Sequence, residues 1–312
     1  MLKHILDLVD LLDGPDAGGA AVASWLRAKD PRGETVVDIA GLDGPGHTDL
    51  VRVAVPGTKG RRAGGSRPTL GVIGRLGGVG SRPDRLGLVS DADGAIVALA
   101  VAAELLRMSG RGDRLPGDVL IRTHISPSSP MIPHEPAPFI DSPVDRDRLA
   151  RAEVDAEMAA ILSIDSTRAN RIAKRDGFGI TGAVKDGFIL RPTPQVLDVY
   201  ERVAGRPAVV LPLFTQDITP PGNGLHHINS IMQPATLSDA PVIGVPLLSP
   251  VVVAGAATGV LHEQELVTAA RFVLEVAKDF TAGRLSFYEE DEFRRLVELY
   301  GSMKHLVGRG GT

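Results

Sequence analysis

The sequence predicts a three-layer α/β/α fold with a mixed, mostly parallel central sheet. Short apolar runs bounded by glycine and proline, which are typical of buried strands, alternate with longer segments whose apolar residues recur at helical spacing. This alternation continues along the whole chain, and it favours helices on both faces of a sheet. Since the 312 residues contain neither an internal repeat nor a low-complexity linker, we expect residues 1–312 to form a single domain.

Composition excludes several classes of protein. The chain is 43% apolar and 23% charged, which is ordinary for a globular protein. A net charge of −4, with three Tyr and one Trp, offers neither a broad attraction to nucleic acid nor many platforms for stacking bases. No uninterrupted apolar run approaches the length of a membrane span, and Asp7 and Asp10 interrupt what could otherwise be a signal peptide. We therefore expect a cytoplasmic protein without a nucleic-acid or membrane partner.

The first half of the chain begins with two predicted helices and a pair of strands. The first helix stops at Asp13-Gly-Pro15, and the basic, glycine-rich residues 57–67 are expected to form a solvated hairpin tip. An alanine-rich helix follows Asp91-Ala-Asp-Gly94, where Ser90 or Asp91 could serve merely as the N-cap. The predicted elements are, in order, helices over 2–12 and 19–27, strands over 35–39, 49–55, 69–73 and 86–90, a helix over 95–107 and a strand over 118–124.

The second half opens with a proline-rich segment over residues 125–143. The segment has almost no periodicity, and a loop of this length inside a compact domain is usually functional, so we expect it near the site. Its apolar residues, Met131, Ile132, Phe139 and Ile140, indicate an ordered surface and hint at a homo-oligomer. The remaining predicted elements are helix 144–158, strand 159–164, a strand pair within 178–190, helix 196–203, strand 208–214, a short helix over 226–232, strand 240–247, and helices over 264–280 and 289–304.

Polar residues follow several predicted strands and form the candidate site. If the strands are largely parallel, their carboxyl ends share one edge of the sheet, where open α/β sheets bind their ligands. Because the chain has no cysteine, a metal there would be bound by imidazole and carboxylate groups, which suit zinc or manganese. The residues at or near this edge are Arg75, Asp91, His124, Asp165, residues 215–217, the adjacent His134 and Glu135, and the adjacent His226 and His227. Each also has a structural interpretation, since such residues often cap helices or hydrogen-bond within the core.

Three short motifs carry a resemblance to a known superfamily. Asp91-Ala-Asp-Gly94 opens the alanine-rich helix, and Leu115-Pro-Gly-Asp-Val-Leu-Ile121 and Ala160-Ile-Leu-Ser-Ile-Asp-Ser-Thr167 follow it. Together they resemble motifs of the co-catalytic zinc exopeptidases, the aminopeptidases and related deacylases. The whole sequence is also similar to a bacterial and archaeal family without an assigned activity, through the phrases Gly74-Arg-Leu-Gly-Gly78, Ser90-Asp-Ala-Asp-Gly-Ala-Ile96 and Pro133-His-Glu-Pro136.

The superfamily resemblance implies roles for two aspartates and the loss of other ligands. Asp91 matches the aspartate that bridges two metals, and Asp165 matches a terminal carboxylate ligand. Arg75 stands where the superfamily has its first metal-binding histidine, the paired glutamates expected near His124 are missing, and so is the final histidine expected near Gly255. The site is therefore either rebuilt from other residues or has lost its metal.

We expect metal-dependent hydrolysis of an amide bond in a small amino-acid-derived or peptide substrate, with zinc or manganese as the cofactor. The expected metal ligands are Asp91, His124, His134, Asp165, and His226 or His227, since only one of these adjacent histidines can face the site. Glu135 is the expected general base and Asp93 a second catalytic group, while Arg75, Thr123, Asp217 and Asn223 would bind substrate, Arg75 through a carboxylate. Two alternatives stay open: a metal-free acid/base enzyme such as an isomerase or lyase, and a non-catalytic protein that binds small molecules.

Overall fold

The computed structural model describes most of the chain. The described residues are 1–30, 32–33, 35–83, 87–135, 138–167, 169–170, 172–220, 225, 227–251 and 262–307. The helices are α1 (Leu2–Asp13), α2 (Gly19–Arg27), α3 (Asp93–Gly110), α4 (Arg146–Glu153), α5 (Pro194–Ala204), α6 (Asn229–Met232), α7 (Glu263–Thr281) and α8 (Glu290–Tyr300). The strands are β1 (Val36–Asp43), β2 (His47–Val55), β3 (Leu70–Gly74), β4 (Val119–Ile125), β5 (Met131–Ile132), β6 (Phe139–Ile140), β7 (Ala160–Thr167), β8 (Gly177–Phe178), β9 (Ile180–Thr181), β10 (Ala183–Lys185), β11 (Phe188–Leu190), β12 (Val210–Leu211) and β13 (Val242–Leu248).

One mixed sheet forms the centre of the described fold. Its strand order is β1-β2-β4-β3-β7-β13-β10-β11, with β8 pairing on β13. The four central strands, β4, β3, β7 and β13, run parallel, while the β1–β2 and β10–β11 pairs are antiparallel. The strand pairs β2–β4, β10–β13 and β8–β13 are antiparallel as well, so the parallel part of the described sheet is limited to the four central strands. The predicted α/β fold class with a mixed central sheet is confirmed.

Alternate residues of the central strands face two different layers. Val72 and Leu162 belong to the core cluster that also contains the buried residues of α1, α3 and α7. Ile73 and Ile161 belong to the cluster that contains Ile231 of α6, on the opposite face. Side chains alternate between the faces of a strand, so each strand contributes to both cores. The apolar runs of these strands are continuous because neither face meets water.

Local capping explains where several helices begin and end. The carboxylate of Asp145 accepts a hydrogen bond from the backbone N–H of Arg148 at 2.7 Å, which starts α4. The Thr193 hydroxyl caps α5 in the same way, and α5 ends at Gly205, whose φ of 65° is left-handed. Among the described residues, no helix is both long enough and apolar enough to cross a membrane.

The register of the parallel strands places three of the predicted site residues side by side. Gly74 at the end of β3 is level with Thr123 of β4 and with Ile164 of β7. The next residues along the three chains are Arg75, His124 and Asp165, and the Arg75 N–H donates to the Ile164 carbonyl at 2.7 Å. Counting back by twos shows that all three lie on the face that carries α6. They form a polar row at the carboxyl edge of the sheet.

Two predicted strands differ from the structure. The described residues 87–90 contain no strand; this segment enters a 3₁₀ helix at Ser90–Ala92, and the Leu88 N–H donates instead to the Asp13 carboxylate at 2.8 Å. The strand predicted over 208–214 is only Val210–Leu211, paired with β9 outside the main sheet.

The other elements differ mainly in their length. The helix predicted over 144–158 is limited to Arg146–Glu153, and the helix predicted over 226–232 begins at Asn229. The proline-rich segment 125–143 contains the β5–β6 hairpin and is not wholly irregular. Within residues 57–67, the carboxylate of Asp118 accepts hydrogen bonds from the backbone N–H groups of Gly57 and Arg62, which fixes the tip that we expected to be solvated.

Candidate functional site

Two glycines bring the start of α3 down onto the carboxyl edge of the sheet. A Cβ on Gly94 would lie 2.5 Å from the Arg75 carbonyl oxygen and 2.7 Å from the Ile164 carbonyl oxygen. A Cβ on Gly74 would lie 2.5 Å from the Gly94 carbonyl oxygen and 2.9 Å from the Ala98 side chain. Because only glycine fits at this approach, the Asp91-Ala-Asp-Gly94 motif places both aspartates beside the end of β7.

Asp91, Asp93 and Asp165 form a buried acid cluster, as we call it below. Asp91 lies in the 3₁₀ helix Ser90–Ala92, Asp93 is the first residue of α3, and Asp165 lies on β7. Burial, together with the charges of Asp91 and Asp165, holds the pKa of Asp93 well above its ordinary value. Burial also raises the pKa of Asp165 to about 7, against the opposing hydrogen bond that Ser230 Oγ donates to Asp165 Oδ2 at 2.7 Å. One oxygen of Asp93 and one of Asp165 (Oδ1 in each case) find no hydrogen-bond partner within the described residues.

A second polar group, centred on Glu153, occupies the same face of the sheet. Glu153 Oε2 accepts a charged hydrogen bond from Arg75, and Glu153 Oε1 pairs with His124 Nδ1 at 2.9 Å. The other terminal nitrogen of Arg75 donates to the side-chain oxygen of Gln233. Burial alone would raise the pKa of Glu153, but the charge of Arg75 and the hydrogen bond from His124 outweigh it and keep the pKa below its ordinary value. Glu153 is therefore a fully buried, ionised carboxylate.

His124 has no ring nitrogen left for a metal. Its Nδ1 faces Glu153, and its Nε2 accepts the backbone N–H of Gly77 at 2.9 Å. Both terminal nitrogens of the Arg75 guanidinium group donate within the core, whereas its Nε is buried without a hydrogen-bond partner among the described residues. The predicted role of His124 as a metal ligand would require breaking one of its two bonds, and Arg75 would have to bind a substrate carboxylate through the N–H groups that its two bonds leave over.

The glycine-rich residues 74–80 turn above the polar row and contact the proline-rich segment. Leu76 has a φ of 56°, the left-handed region that a leucine rarely adopts. A Cβ on Gly78 would lie 3.2 Å from Ser129 Oγ, 3.3 Å from Ile140 Cγ2 and 3.6 Å from Asp91 Cβ. Ser129 and Ile140 of the proline-rich segment therefore lie near Gly78, which also contacts Asp91.

The other residues expected in the site have different surroundings. Thr123 Oγ1 donates to the Gly74 carbonyl oxygen at 2.9 Å, and the Asp217 carboxylate accepts the backbone N–H groups of Phe214 at 2.8 Å and Ile228 at 2.7 Å. Both side chains thus hold the backbone. His227 Nδ1 lies 3.4 Å from the Asn170 amide.

The two residues expected from the proline-rich segment do not join the cluster. His134 and Glu135 are exposed, and no hydrogen bond joins either of them to the acid cluster in the described part of the chain. Asn223 and His226 lie outside the described residues.

Sequence reasoning missed three residues of this region, Glu153, Gln233 and Ser230. Glu153 ends a helix whose composition is strongly charged, so the local sequence predicts that its side chain faces solvent. Gln233 and Ser230 belong to short helical turns without a recognisable motif. The only signal for Glu153 is that it is the shared carboxylate partner of His124 and Arg75, and this becomes visible only when the strand register is known.

The acid cluster does not by itself complete a metal site. Across the described ranges, no group of three or more His, Asp or Glu side chains is arranged to hold a metal ion. The cluster nevertheless offers buried carboxylate oxygens, and two of them lack partners within the same ranges. Its chemistry therefore suits a positively charged ligand, although the coordination shell is incomplete.

Comparisons with solved structures show the fold. The chain resembles the cytosol aminopeptidase from Coxiella burnetii with a TM-score of 0.53 and 15% identity, covering 89% of this chain and 68% of that one. It also resembles the bottromycin maturation enzyme BotP in complex with Mn, with a TM-score of 0.53 and 14% identity, covering 89% of this chain and 70% of that one. The predicted likeness to peptidases is thereby confirmed for the fold.

Comparisons of sequence place the chain in a family. No curated protein sequence matches it. The model of the DUF1177 family, described as a protein of unknown function, matches residues 42–310. The likeness to a family without an assigned activity is thereby confirmed, and the chain belongs to the DUF1177 family.

Proposed function

We propose that this protein hydrolyses an amide bond in a small amino-acid-derived or peptide substrate and that it uses a divalent cation, manganese or zinc. The observation that carries the proposal is the convergence of Asp91, Asp93 and Asp165, all buried, at the carboxyl edge of the parallel sheet. Open α/β sheets bind their ligands at this edge. The two similar structures, an aminopeptidase and a Mn-bound maturation enzyme, add support from the same fold.

The charge of the acid cluster fits a cation, but its ligand set is short. Carboxylate oxygens suit manganese better than zinc, which favours nitrogen and sulfur ligands. Since no complete ligand group exists within the described residues, we assign no chemical step to a metal. Asp91 and Asp165 are the proposed ligands of the cation, as their match to the exopeptidase motifs suggests.

The residues of the chain itself can move the protons that hydrolysis requires. A water molecule that attacks an amide must lose a proton, and the leaving amine must gain one. Burial and the charges of Asp91 and Asp165 hold the pKa of Asp93 well above its ordinary value, so its carboxyl group can hold a proton that an ordinary aspartate would have lost. We assign this role to Asp93, which is not one of the proposed ligands, in preference to the exposed Glu135, which would first have to approach the cluster.

A metal-free acid/base enzyme, such as an isomerase or a lyase, is the second candidate. The observation that favours it is the buried guanidinium of Arg75, whose charge acts on Asp165 and lowers its pKa against the effect of burial. Arg75 supplies a fixed positive charge where the exopeptidase resemblance has a metal-binding histidine. The same acids would then transfer a proton to and from carbon.

Metal analysis tests the proposal first. Protein purified without chelator or histidine tag is examined by plasma mass spectrometry, alongside Asp91→Ala and the control Asp118→Ala. Asp118 is also a buried aspartate, but it lies at the amino end of β4, opposite the site. We expect about one manganese or zinc ion per chain, lost in Asp91→Ala and retained in Asp118→Ala.

An activity screen with amides of single amino acids and with dipeptides follows. Turnover that requires the metal and is abolished in Asp91→Ala supports the hydrolase. A folded wild type that contains no metal, and gains none on dialysis against manganese, contradicts the cation-dependent reaction. Metal-independent turnover with a pH profile altered by Asp91→Ala would favour the second candidate instead, and ligand binding without turnover would indicate a non-catalytic binding protein.

A further inference from the structure

Glu153 makes contacts that neither the fold nor the acid cluster explains by itself. We infer that Glu153 is a positioning residue: one of its oxygens fixes Arg75 near Asp165, and the other, through His124, fixes the glycine-rich turn near Asp91. The inference rests on the proposed function, because the acid cluster is taken as the place where the ligand binds. Glu153 itself reaches no proposed ligand site and is not a catalytic residue in this account.

The first step of the argument is the placement of the carboxylate. The Glu153 side chain has a relative accessibility of 0%, and those of Arg75 and His124 are 5% and 4%. A buried carboxylate is costly unless both its oxygens are well paired. Here Oε2 accepts from Arg75 Nη1 and Oε1 lies 2.9 Å from His124 Nδ1, so each oxygen has its own partner.

The second step fixes the tautomer of His124. The Gly77 N–H can only donate, so His124 Nε2, at 2.9 Å, must accept. A neutral imidazole then carries its proton on Nδ1, and that proton points at Glu153. Glu153, His124 and Gly77 thus form a directional chain in which an ionised acceptor selects the tautomer that can hold the turn.

The third step connects this chain to the acid cluster. A Cβ on Gly77 would overlap the carbonyl oxygen of His124, so the turn packs directly onto the end of β4. The residues on either side of Gly77 continue this path: Leu76 has a left-handed backbone, and Gly78 lies against Asp91. A shift of the turn would therefore move the wall beside Asp91.

The fourth step concerns the other oxygen of Glu153. Arg75 is held by Glu153 on one terminal nitrogen and by Gln233 on the other, which leaves its guanidinium with a single orientation. The backbone N–H of Arg75 donates to the carbonyl oxygen of Ile164, the residue before Asp165, at 2.7 Å, so a fixed guanidinium lies beside this part of the acid cluster. One carboxylate thus orders both sides of the acid cluster.

The chain offers a matched control in a structural ion pair elsewhere. Glu104 on α3 is also buried, and it also binds one histidine and one arginine: His4 Nε2 at 3.0 Å and the guanidinium of Arg107. This group joins α1 to α3 and contains no residue of the acid cluster. Glu153→Gln and Glu104→Gln therefore each remove a carboxylate charge that is paired with one histidine and one arginine, although Arg107 is 39% exposed and Arg75 only 5%. Only the first substitution should alter the site.

The experiment measures hydrogen exchange at the Gly77 amide, the tautomer of His124 by NMR of ¹⁵N-labelled histidine, and the affinity for Mn²⁺ by calorimetry. In the wild type we expect the Nδ1–H tautomer. In Glu153→Gln we expect Gly77 exchange to be faster by about tenfold or more, since the amide group of glutamine cannot accept from both Arg75 and His124. We also expect Mn²⁺ binding weaker by about tenfold or more, against less than about twofold in Glu104→Gln.

Two substitutions of His124 keep the inference testable if Glu153→Gln does not fold. The amide group of Gln at position 124 reaches the place of Nε2 and can accept from Gly77, whereas that of Asn reaches only the place of Nδ1. His124→Gln should therefore retain slow exchange at Gly77, and His124→Asn should lose it by about tenfold.

Each measurement can overturn the inference. An Nε2–H tautomer, or unchanged Gly77 exchange in Glu153→Gln and His124→Asn, refutes the directional chain. Equal effects of Glu153→Gln and Glu104→Gln on Mn²⁺ affinity refute positioning and leave Glu153 as an ordinary core ion pair. If the wild type binds no Mn²⁺, the proposed cation fails, and the tautomer and the Gly77 exchange decide the inference by themselves.

Discussion

Replacing Asp165 by Asn should stabilise the metal-free protein at alkaline pH and do so less at acidic pH. Asp165 lies in the acid cluster, where burial raises its pKa to about 7. A group whose pKa is raised on folding contributes stability that is present at low pH and is lost as the pH rises through the folded value. The wild type should thus lose stability between about pH 4 and pH 7 through this residue. Asn does not titrate, and its amide oxygen can still accept from Ser230, which is 2.7 Å from Asp165 Oδ2.

The magnitude follows from the two pKa values. The unfolded chain ionises Asp165 at about pH 3.9, and each pH unit between that value and the folded pKa costs about 1.4 kcal/mol. Between about pH 5 and pH 8 this cost applies over about two pH units, so the stability of Asp165→Asn relative to the wild type should rise by about 3 kcal/mol. Any fixed cost of the new amide group is the same at both pH values and drops out of this difference.

Urea denaturation in the presence of a chelator measures the effect at the two pH values. Asp118→Asn is the control, since the Asp118 carboxylate accepts the backbone N–H groups of Gly57 at 2.8 Å and Arg62 at 3.0 Å and lies at the other end of β4. That variant should be less stable than the wild type at both pH values. Excess manganese should then stabilise the wild type but not Asp165→Asn. If the stability difference between the wild type and Asp165→Asn is the same at pH 5 and pH 8, folding does not raise the pKa of Asp165 and the reasoning is refuted.

Two other predictions concern the glycine-rich turn and the N-terminal helix. Gly77→Ala should cost about 1–3 kcal/mol of stability and weaken manganese binding, because the added Cβ would overlap the His124 carbonyl oxygen. The control is Gly112→Ala: Gly112 has a left-handed backbone, but a Cβ there would meet nothing within 4 Å, so this variant should cost less stability and leave manganese binding unchanged. Urea denaturation measures the stability of both variants, and calorimetry measures their manganese binding. Burial lowers the pKa of His4, despite its hydrogen bond to Glu104, so the unfolded chain binds more protons and stability should fall as the pH drops below about 6.5. His4→Gln should remove that part of the pH dependence, and identical pH profiles of the two proteins in urea denaturation would contradict it.

The fold class was predictable because apolar runs typical of strands alternate with helical apolar spacing along the chain. The strand predicted over residues 86–90 was wrong, because its described residues 87–90 have a similar apolar run but form no strand. Leu88 and Val89 are buried and follow a glycine, which is what a short buried strand looks like in sequence. In the structure this stretch is held by a long-range bond from the Leu88 N–H to Asp13 at the end of α1. Local periodicity measures burial and not the identity of the hydrogen-bond partner, so the sequence could not distinguish the two cases.

The site was predictable where it depends on strand ends and hidden where it depends on register. Asp165 follows from the rule that polar residues at the ends of parallel strands meet at one edge. Asp91 was expected there after a strand over residues 86–90, but the described residues 87–90 form no strand and Asp91 reaches the edge in a 3₁₀ helix. Glu153 does not follow from this rule, because it ends a charged helix. Only the strand register, which aligns Arg75 with His124, shows that both side chains contact Glu153. His134 and Glu135 were predicted as a metal ligand and a general base from their residue types, yet both are exposed. Residue type indicates what a group can do, while the sheet decides which groups meet.

The charge of the site limits the ligands that it can accept. Arg75 neutralises Glu153 and also donates to Gln233, while its Nε is buried without a hydrogen-bond partner in the described part of the chain. Asp93 and Asp165 each keep an oxygen without a partner in the described part of the chain, in surroundings that raise the pKa of both. An anionic group entering there would add to the repulsion, whereas a cation would lower the energy of the ionised acids. The part of the ligand that meets Asp93 and Asp165 should therefore be positive or neutral.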